Sequence, residues 1–234
     1  MGKLGVIIVA AGKGSRMRSE ESKQYMQLGG RPILVHTLQL FQNIQQIGSI
    51  VLVVGEADLE RCSQYITEYA FTKVKHVLAG GKERQDSVYK GLGALSGETE
   101  WVLVHDGVRP FVAPEQVLSC WHKAMQEEAA VLAVPVKDTI KIVDEAGQIQ
   151  STPDRRSLWA IQTPQAFRFS LLLEAHERAN VDGFVGTDDA MLVERMGVPV
   201  HVVEGDYYNI KITTPEDLPW GEWIAKNVRG EKSS

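Results

Sequence analysis

Gly12, Gly14, Arg16 and Lys23 are spaced to hold a chain of phosphates. The segment Gly5-Val6-Ile7-Ile8-Val9-Ala10-Ala11-Gly12-Lys13-Gly14-Ser15-Arg16-Met17 passes from β-branched residues into small ones. That is the pattern of a buried strand ending in a loop with almost no side chains. There the backbone can come close to a ligand, and consecutive N–H groups of Ala10, Ala11, Gly12 and Gly14 can cradle an anion. Arg16 and Lys23 stand at the edge of that cradle, as a nucleoside triphosphate requires. No Gly-x-x-x-x-Gly-Lys-Ser/Thr loop occurs, and Met17 holds the third glycine position of a dinucleotide fingerprint. A Gly-x-Gly alone reads better as a flexible turn; the two cations shift the balance toward phosphate.

Other clusters carry weaker signals. Gly80-Gly81-Lys82-Glu83-Arg84-Gln85-Asp86-Ser87 joins a strand to a helix. Its glycines permit approach of a flat base, and helix-start amides with the Ser87 hydroxyl can read a base edge. A simple strand-to-helix turn explains it equally well. In His105-Asp106-Gly107-Val108-Arg109-Pro110, a carboxylate at a strand's end suits Mg²⁺ or a hydroxyl, and Arg109 suits a phosphate; the competing reading is a salt bridge within the loop. His105 reads as a packed residue rather than a base. Thr187-Asp188-Asp189-Ala190 reads as a helix N-cap. Lys211, in an extended apolar segment, hints at an anion contact. His-Glu-x-x-His, Gly-x-Ser-x-Gly and Cys-x-x-Cys are all absent from the sequence, so no activated protein nucleophile is signalled. A phosphate monoester needs none, because its second pKa is about 6 and it is largely a dianion near neutral pH.

The elements that must position these residues alternate. Strand patterns cover Leu4–Val9, Ser49–Val54, Val74–Leu78, Trp101–His105 and Ala130–Val134, and helical patterns cover Pro32–Asn43, Ala57–Tyr69, Arg84–Leu95 and Pro114–Glu127. Near-continuous apolar strands separated by helices predict an α/β fold: a mostly parallel sheet with helices on both faces and ligands at the carboxyl ends of the strands. After Val136 the rhythm breaks. Asp138–Val143 alternates, residues 144–147 turn, and a second extended piece runs to Ser151. The sequence thus predicts one domain over residues 1–234, from which residues 135–159 leave as a β-arm too small to be stable alone. A second copy of the chain is the economical cover. Helices return at Ser170–Asn180, Thr187–Met196 and Pro215–Asn227.

A net charge of −5 argues against a polymeric nucleic-acid partner. Cys62 and Cys120 form no metal or redox motif and read as reduced core thiols of a cytoplasmic protein. The apolar run from Val6 to Ala11 is too short for a signal or membrane segment.

In their joint order these clusters resemble the 2-C-methyl-D-erythritol 4-phosphate cytidylyltransferases of the non-mevalonate isoprenoid pathway. The resemblance spans essentially the whole chain and includes Ala10-Ala11-Gly12-x-Gly14-x-Arg16-Met17, Lys23-Gln24, Gly80-Gly81-x-Glu83-Arg84-x-x-Ser87-Val88, His105-Asp106-x-x-Arg109-Pro110, Pro135-Val136-x-Asp138-Thr139, Leu158-Trp159-x-x-Gln162-Thr163-Pro164-Gln165, Thr187-Asp188 and Asn209-Ile210-Lys211. It implies a homodimer of Rossmann-like nucleotidyltransferase fold that uses CTP and Mg²⁺, with a sugar-alcohol phosphate attacking the α-phosphorus and expelling pyrophosphate. It further implies that Arg16 and Lys23 stabilise the growing charge and that Arg155 and Lys211 place the attacking phosphate. Gly81 and Ser87 would read cytosine, and Gly107 would join the nucleotide site. Asp106, Arg109, Thr139, Thr163 and Thr187 would line the acceptor pocket, with Asp106 also a candidate metal ligand. Four residues depart from the common pattern: Lys82 where Asp is frequent, Gly107-Val108 where Ala-Ala is frequent, and Asp189 where Glu is frequent. Two alternatives accompany this reading: a ribitol-5-phosphate cytidylyltransferase, toward which Val108 leans, and a non-catalytic ligand-binding subunit of the same fold. Arg155-x-x-Leu158-Trp159 and Thr187-Asp188-Asp189-Ala190 favour the methylerythritol enzyme over the first. Joint retention of Arg16, Lys23 and Lys211 argues against the second.

Overall fold

Eight residues of alternating facing, Lys3–Ala10, form strand β1, and the whole sheet grows outward from it. The computed structural model describes residues 3–12, 22–95, 97–228 and 230. Short strands β2 (Gln27–Leu28) and β3 (Arg31–Pro32) pair with each other, and α1 (Ile33–Asn43) follows. Then come β4 (Ile47–Val54), α2 (Leu59–Glu68), β5 (Val74–Ala79), α3 (Arg84–Ala94), β6 (Thr99–Asp106), α4 (Pro114–Glu127) and β7 (Ala129–Pro135). After β8 (Ile142–Val143) and β9 (Ile149–Ser151), the chain continues as β10 (Trp159–Arg168), α5 (Phe169–Val181), α6 (Asp189–Arg195), β11 (His201–Glu204) and α7 (Asp217–Asn227).

Seven strands form the main sheet in the order β11-β7-β10-β6-β1-β4-β5. Successive side chains of a strand point to opposite faces, so β1 feeds two cores. Val6 and Ile8 pack with Leu34, Leu38 and Phe41 of α1 and with Val117 and Trp121 of α4. Ile7 packs on the other face with Val88 and Leu92 of α3 and Leu172 of α5. Both faces are therefore covered, which is why the strands read as unbroken apolar runs. Because β1, β4, β5 and β6 are parallel, their carboxyl ends meet along one edge. The loops after Ala10, Ala79 and Asp106 converge there, as the sequence predicts.

The sequence pattern does not reveal β10. This strand lies between β6 and β7 and is antiparallel to both. Its central residues Gln162, Thr163, Pro164 and Gln165 are polar or lack a backbone donor, so they read as a loop. They are buried nonetheless, and the Thr163–Pro164 bond is cis where the register with β7 breaks. The polar groups are satisfied locally. Gln165 donates from Nε2 to Asp188 Oδ2 at 2.7 Å and accepts from the Ala190 N–H at 3.1 Å, tying the sheet to the start of α6.

The arm is a two-stranded ribbon of β8 and β9. Asp144 Oδ1 accepts from the N–H groups of Ala146 and Gln148 and closes the turn, and Gly147 supplies the required positive φ of 78°. Ile142, Val143 and Ile149 on the ribbon are all more than half exposed.

Replacing Gln165 by Leu removes both bonds while leaving the buried Ala190 N–H without its acceptor. The expected loss is about 1–3 kcal/mol of unfolding free energy, read by urea denaturation; an unchanged midpoint would show that β10 does not anchor α6 through this side chain.

Candidate functional site

The strand-end loops enclose a cleft of about 580 Å³ open to solvent. Ala10, Ala11 and Gly12 form one wall, Gly81 to Arg84 and Ser87 another, and Lys23, Asp106 and Lys211 complete it. A second cleft of about 640 Å³ is lined by Arg109, Thr163, Gln165, Thr187 and Asp188. Arg84, Asp106 and Lys211 belong to both.

Each wall has a local cause. Lys23 opens a 3₁₀ turn whose next residue, Gln24, is buried and donates from Nε2 to the Ala10 carbonyl at 2.9 Å. That bond fixes Lys23 beside the end of β1. The Gly80-Gly81 loop is tightened by the Gly81 N–H donating to Ser87 Oγ at 3.1 Å and the Glu83 N–H donating to Asp86 Oδ2 at 2.9 Å. A Cβ at Gly80 would lie 2.4 Å from Ala11 Cβ, so glycine is what lets the two loops touch. Lys211 is brought in by the Ile212 N–H, which donates to the Val108 carbonyl at 3.0 Å.

At the junction Asp106 is almost fully buried and faces three cations. Lys211 Nζ lies 2.9 Å from Oδ2, Arg84 Nε 3.3 Å from Oδ1, and Arg109 Nε 3.5 Å from Oδ2. Burial alone would raise its pKa, but Arg84, Lys211 and Arg109 outweigh burial and hold the carboxyl well below the usual carboxylate range. Arg84 is in turn gripped by Asp189, with Nη1 2.5 Å from Oδ2. Burial works against the Arg84 charge, yet Asp189 and Asp106 more than offset it and raise its pKa. His105 plays a different part. Its Nε2 lies 3.0 Å from the Arg109 carbonyl, which can only accept, so Nε2 carries the proton. Nδ1 then accepts from the Thr163 hydroxyl, whose oxygen accepts the Asp106 N–H at 3.0 Å. Burial pushes the His105 pKa down to about 4, so it is a neutral structural link.

Of the residues expected at the site, Ala10, Ala11, Gly12, Lys23, Gly81, Ser87, Asp106 and Lys211 line the first cleft. Arg109, Thr163 and Thr187 line the second. Gly14 and Arg16 lie outside the described residues. The Gly107 N–H is engaged with the Val9 carbonyl at 2.8 Å, and a Cβ there would press on Ala10 Cβ at 2.9 Å, so Gly107 closes the floor behind the cleft. Ser87 Oγ is committed to the Gly81 N–H and the Glu83 carbonyl and so sets the loop's shape. Thr139 and Arg155 sit on the exposed arm, where Arg155 Nη1 donates to the Lys137 carbonyl at 2.7 Å, and neither lines a cleft.

Arg84 is the residue that motif reading passed over. One signal was present: an arginine as first residue of α3 opposes the helix dipole, and such a placement asks for a reason. Asn209 is another. It donates from Nδ2 to Gln162 Oε1 and to the Thr163 carbonyl, and its own carbonyl accepts from Arg109 Nη1 at 2.8 Å.

The donor set does not suit a metal held by the protein alone. Both Asp106 oxygens face cations. Among the described residues, no group of three or more His, Cys, Asp or Glu side chains is placed to bind an ion.

The family model for 2-C-methyl-D-erythritol 4-phosphate cytidylyltransferase matches residues 4–227 of this chain. A protein of that name from Geotalea uraniireducens is 48% identical over 233 residues, covering 98% of this chain and 100% of its own length. One from Geobacillus kaustophilus is 51% identical over 225 residues, covering 96% and 98%. Among solved structures, the 4-diphosphocytidyl-2C-methyl-D-erythritol synthase of Anaerococcus prevotii superposes with a TM-score of 0.86 at 35% identity, covering 97% of each chain.

Asp106→Asn should cost about 2 kcal/mol at pH 7, because three cations lose their carboxylate. The native pKa of Asp106 is depressed, so its contribution is complete above the unfolded value of about 4 and is lost as the pH falls below it. The stability gap between wild type and variant should therefore narrow from pH 5 to pH 3 in urea titrations. A gap that widens with acid would mean the carboxylate is not held ionised by this cluster.

Proposed function

The chain belongs to the 2-C-methyl-D-erythritol 4-phosphate cytidylyltransferase family, and we propose that it transfers CMP from CTP to 2-C-methyl-D-erythritol 4-phosphate. The observation that carries this reading is the junction: Arg84, Asp106 and Lys211 wall both clefts at once. A donor in one and an acceptor in the other would meet beside two cations and one carboxylate.

In this reading the triphosphate lies along Ala10 to Gly12 with Lys23 beside it, and the cytosine lies against the Gly81–Ser87 loop. The acceptor phosphate, paired with Lys211, attacks the α-phosphorus. A new P–O bond forms there, the bond to the bridging oxygen breaks, and pyrophosphate leaves with that electron pair. The acceptor is already a dianion, so no general base is needed. The protein's contribution is positioning and neutralisation of charge. Arg16 belongs with Lys23 in this role by family resemblance. A divalent cation, Mg²⁺, enters as part of the nucleotide substrate, bound by phosphate oxygens, and neutralises charge on them.

We extend the proposal to assembly. The arm buries little of its own apolar surface, with Ile140, Ile142, Val143 and Ile149 all at least 40% exposed. A two-fold partner would cover it and would deliver Thr139 and Arg155 to a site their own chain does not bring them to. Cys62 and Cys120 are free buried thiols, which accords with a place in the reducing cytoplasm. No described helix is long and apolar enough to cross a membrane.

Pyrophosphate release should occur with CTP and 2-C-methyl-D-erythritol 4-phosphate, and much more slowly with ribitol 5-phosphate or with ATP as donor. Faster turnover of ribitol 5-phosphate would overturn the substrate assignment. The arm is tested by mixing Lys23→Ala and Arg155→Ala subunits, each expected to be inactive as a homodimer. If the arm acts across the interface, one site of the mixed dimer carries both lesions and the other none, so activity returns at one site of two. No recovery after proven subunit exchange would refute the shared site.

A further inference from the structure

Behind the junction lies a buried pair that the reaction as described does not use. Asp189 is 1% exposed and His176, on α5, is 0% exposed. His176 Nε2 lies 3.1 Å from Asp189 Oδ1 and, facing a carboxylate, donates to it. The other oxygen, Oδ2, holds Arg84 Nη1 at 2.5 Å. Arg84 Nε in turn reaches Asp106 Oδ1 at 3.3 Å. An unbroken chain of contacts thus runs from the core of α5 through α6 and α3 to the carboxylate that Lys211 shares.

We propose that His176, acting through Asp189, is a positioning residue that fixes the plane of the Arg84 guanidinium between the two clefts. The proposal rests on the cytidylyltransferase reading for its kinetic consequence but not for its geometry.

Arg84 has few other restraints. Its contact with Asp106 is a single long one, and a guanidinium held at one point can rotate about it. Asp189 supplies the second point, and these two contacts together with the covalent bond from Cδ fix the plane. That second point depends on Asp189 staying ionised and oriented in a dry place. Burial opposes its charge, and Arg84 and then His176 overcome burial to hold its pKa down. Without the His176 donor, Oδ1 keeps no hydrogen-bond partner among the described residues. A buried carboxylate with one empty oxygen then turns or takes a proton, and Arg84 loses its anchor.

The side chain of His176 also has a packing role, since its ring stacks on Tyr89 with centroids 6.2 Å apart and planes 14° apart. Its Nδ1 has no hydrogen-bond partner among the described residues, so the ring's one polar bond is the one to Asp189. Packing and donation can therefore be separated. His176→Phe keeps a ring against Tyr89 and removes the donor. His176→Gln keeps a donor at similar reach and removes the ring. Asp189→Asn keeps shape and removes the charge that grips Arg84.

The direct readout is the Arg84 Nε–H resonance, assigned by its disappearance in Arg84→Lys. It should be slow to exchange in wild type and His176→Gln, and fast in His176→Phe and Asp189→Asn, all checked for folding by thermal melts. Kinetically, His176→Phe should lower kcat/KM for the sugar phosphate about 10-fold or more, as a slightly misplaced charge does. His176→Gln should restore most of it, and in an Arg84→Met background His176→Phe should change it less than about twofold, the sign of two residues acting as one unit. The opposite pattern, with Phe tolerated and Gln harmful, would reduce His176 to packing. An Arg84 Nε–H that exchanges in wild type as fast as an exposed arginine would also overturn the proposal. If wild type turned over neither sugar phosphate, the substrate reading would fail while the exchange measurement still decided the fate of His176.

Discussion

One carboxylate holds the strand-end edge together. Arg84 from α3, Arg109 from the loop after β6 and Lys211 from the segment after β11 converge on Asp106. Three cations so close would repel one another strongly inside protein, where the effective dielectric is low. Two buried carboxylates, Asp106 at the centre and Asp189 on the far side of Arg84, make their convergence tolerable and still leave the three cations in excess. That surplus suits the proposed meeting of a triphosphate and a sugar phosphate, in which two anionic groups must come within bonding distance. A chain whose overall charge is −5 thereby concentrates positive charge at one edge of its sheet.

Asp106 can play this part only if its own position is over-determined. Its N–H donates to Thr163, whose hydroxyl donates to His105, whose other nitrogen donates to the Arg109 carbonyl. The link uses the neutral imidazole, and burial ensures that form by pushing the His105 pKa down to about 4. Gln162 and Asn209 continue the network from β10 to Arg109. A strand rich in amides is thus the scaffold of the second cleft, and each buried polar group on it positions another. Half-satisfied networks of this kind are costly, so the support of the site and the stability of the fold are one problem.

The legible and illegible parts of the sequence divide along the same line. The parallel strands announce themselves because both faces are apolar, as in the Val6–Val9 run and Ile50–Val54. Their convergence, and with it Lys23, Gly81 and Asp106 on one edge, follows from topology. β10 does not announce itself, because Gln162, Thr163 and Gln165 are buried by hydrogen bonding rather than by hydrophobicity. Periodicity registers only the latter. Arg84 was hidden for a related reason: its partners Asp106 and Asp189 lie 22 and 105 residues away, and no local spacing links them. Arg155 was noticed only through resemblance, since nothing around it in sequence distinguishes it from the exposed Arg156 beside it.

The departures from the family pattern can be judged by what the structure asks of each position. At residue 82 the framework of the loop before α3 runs from Gly81 to Ser87 and from Glu83 to Asp86, bypassing residue 82 itself. The loop's backbone amides keep their places whatever side chain stands there, so lysine changes the charge at the cleft mouth without changing the cradle. At residue 107 a Cβ would press on Ala10, so in this chain glycine lets the loop after β6 lie close against the end of β1. At residue 189 the shorter carboxylate still reaches Arg84 on one side and His176 on the other. Positions 82, 107 and 189 therefore fall where the fold constrains backbone, volume or charge rather than side-chain identity. The contacts it does constrain, those of Asp106, Arg109, Thr163 and Lys211, are made by residues of the motifs on which the resemblance rests.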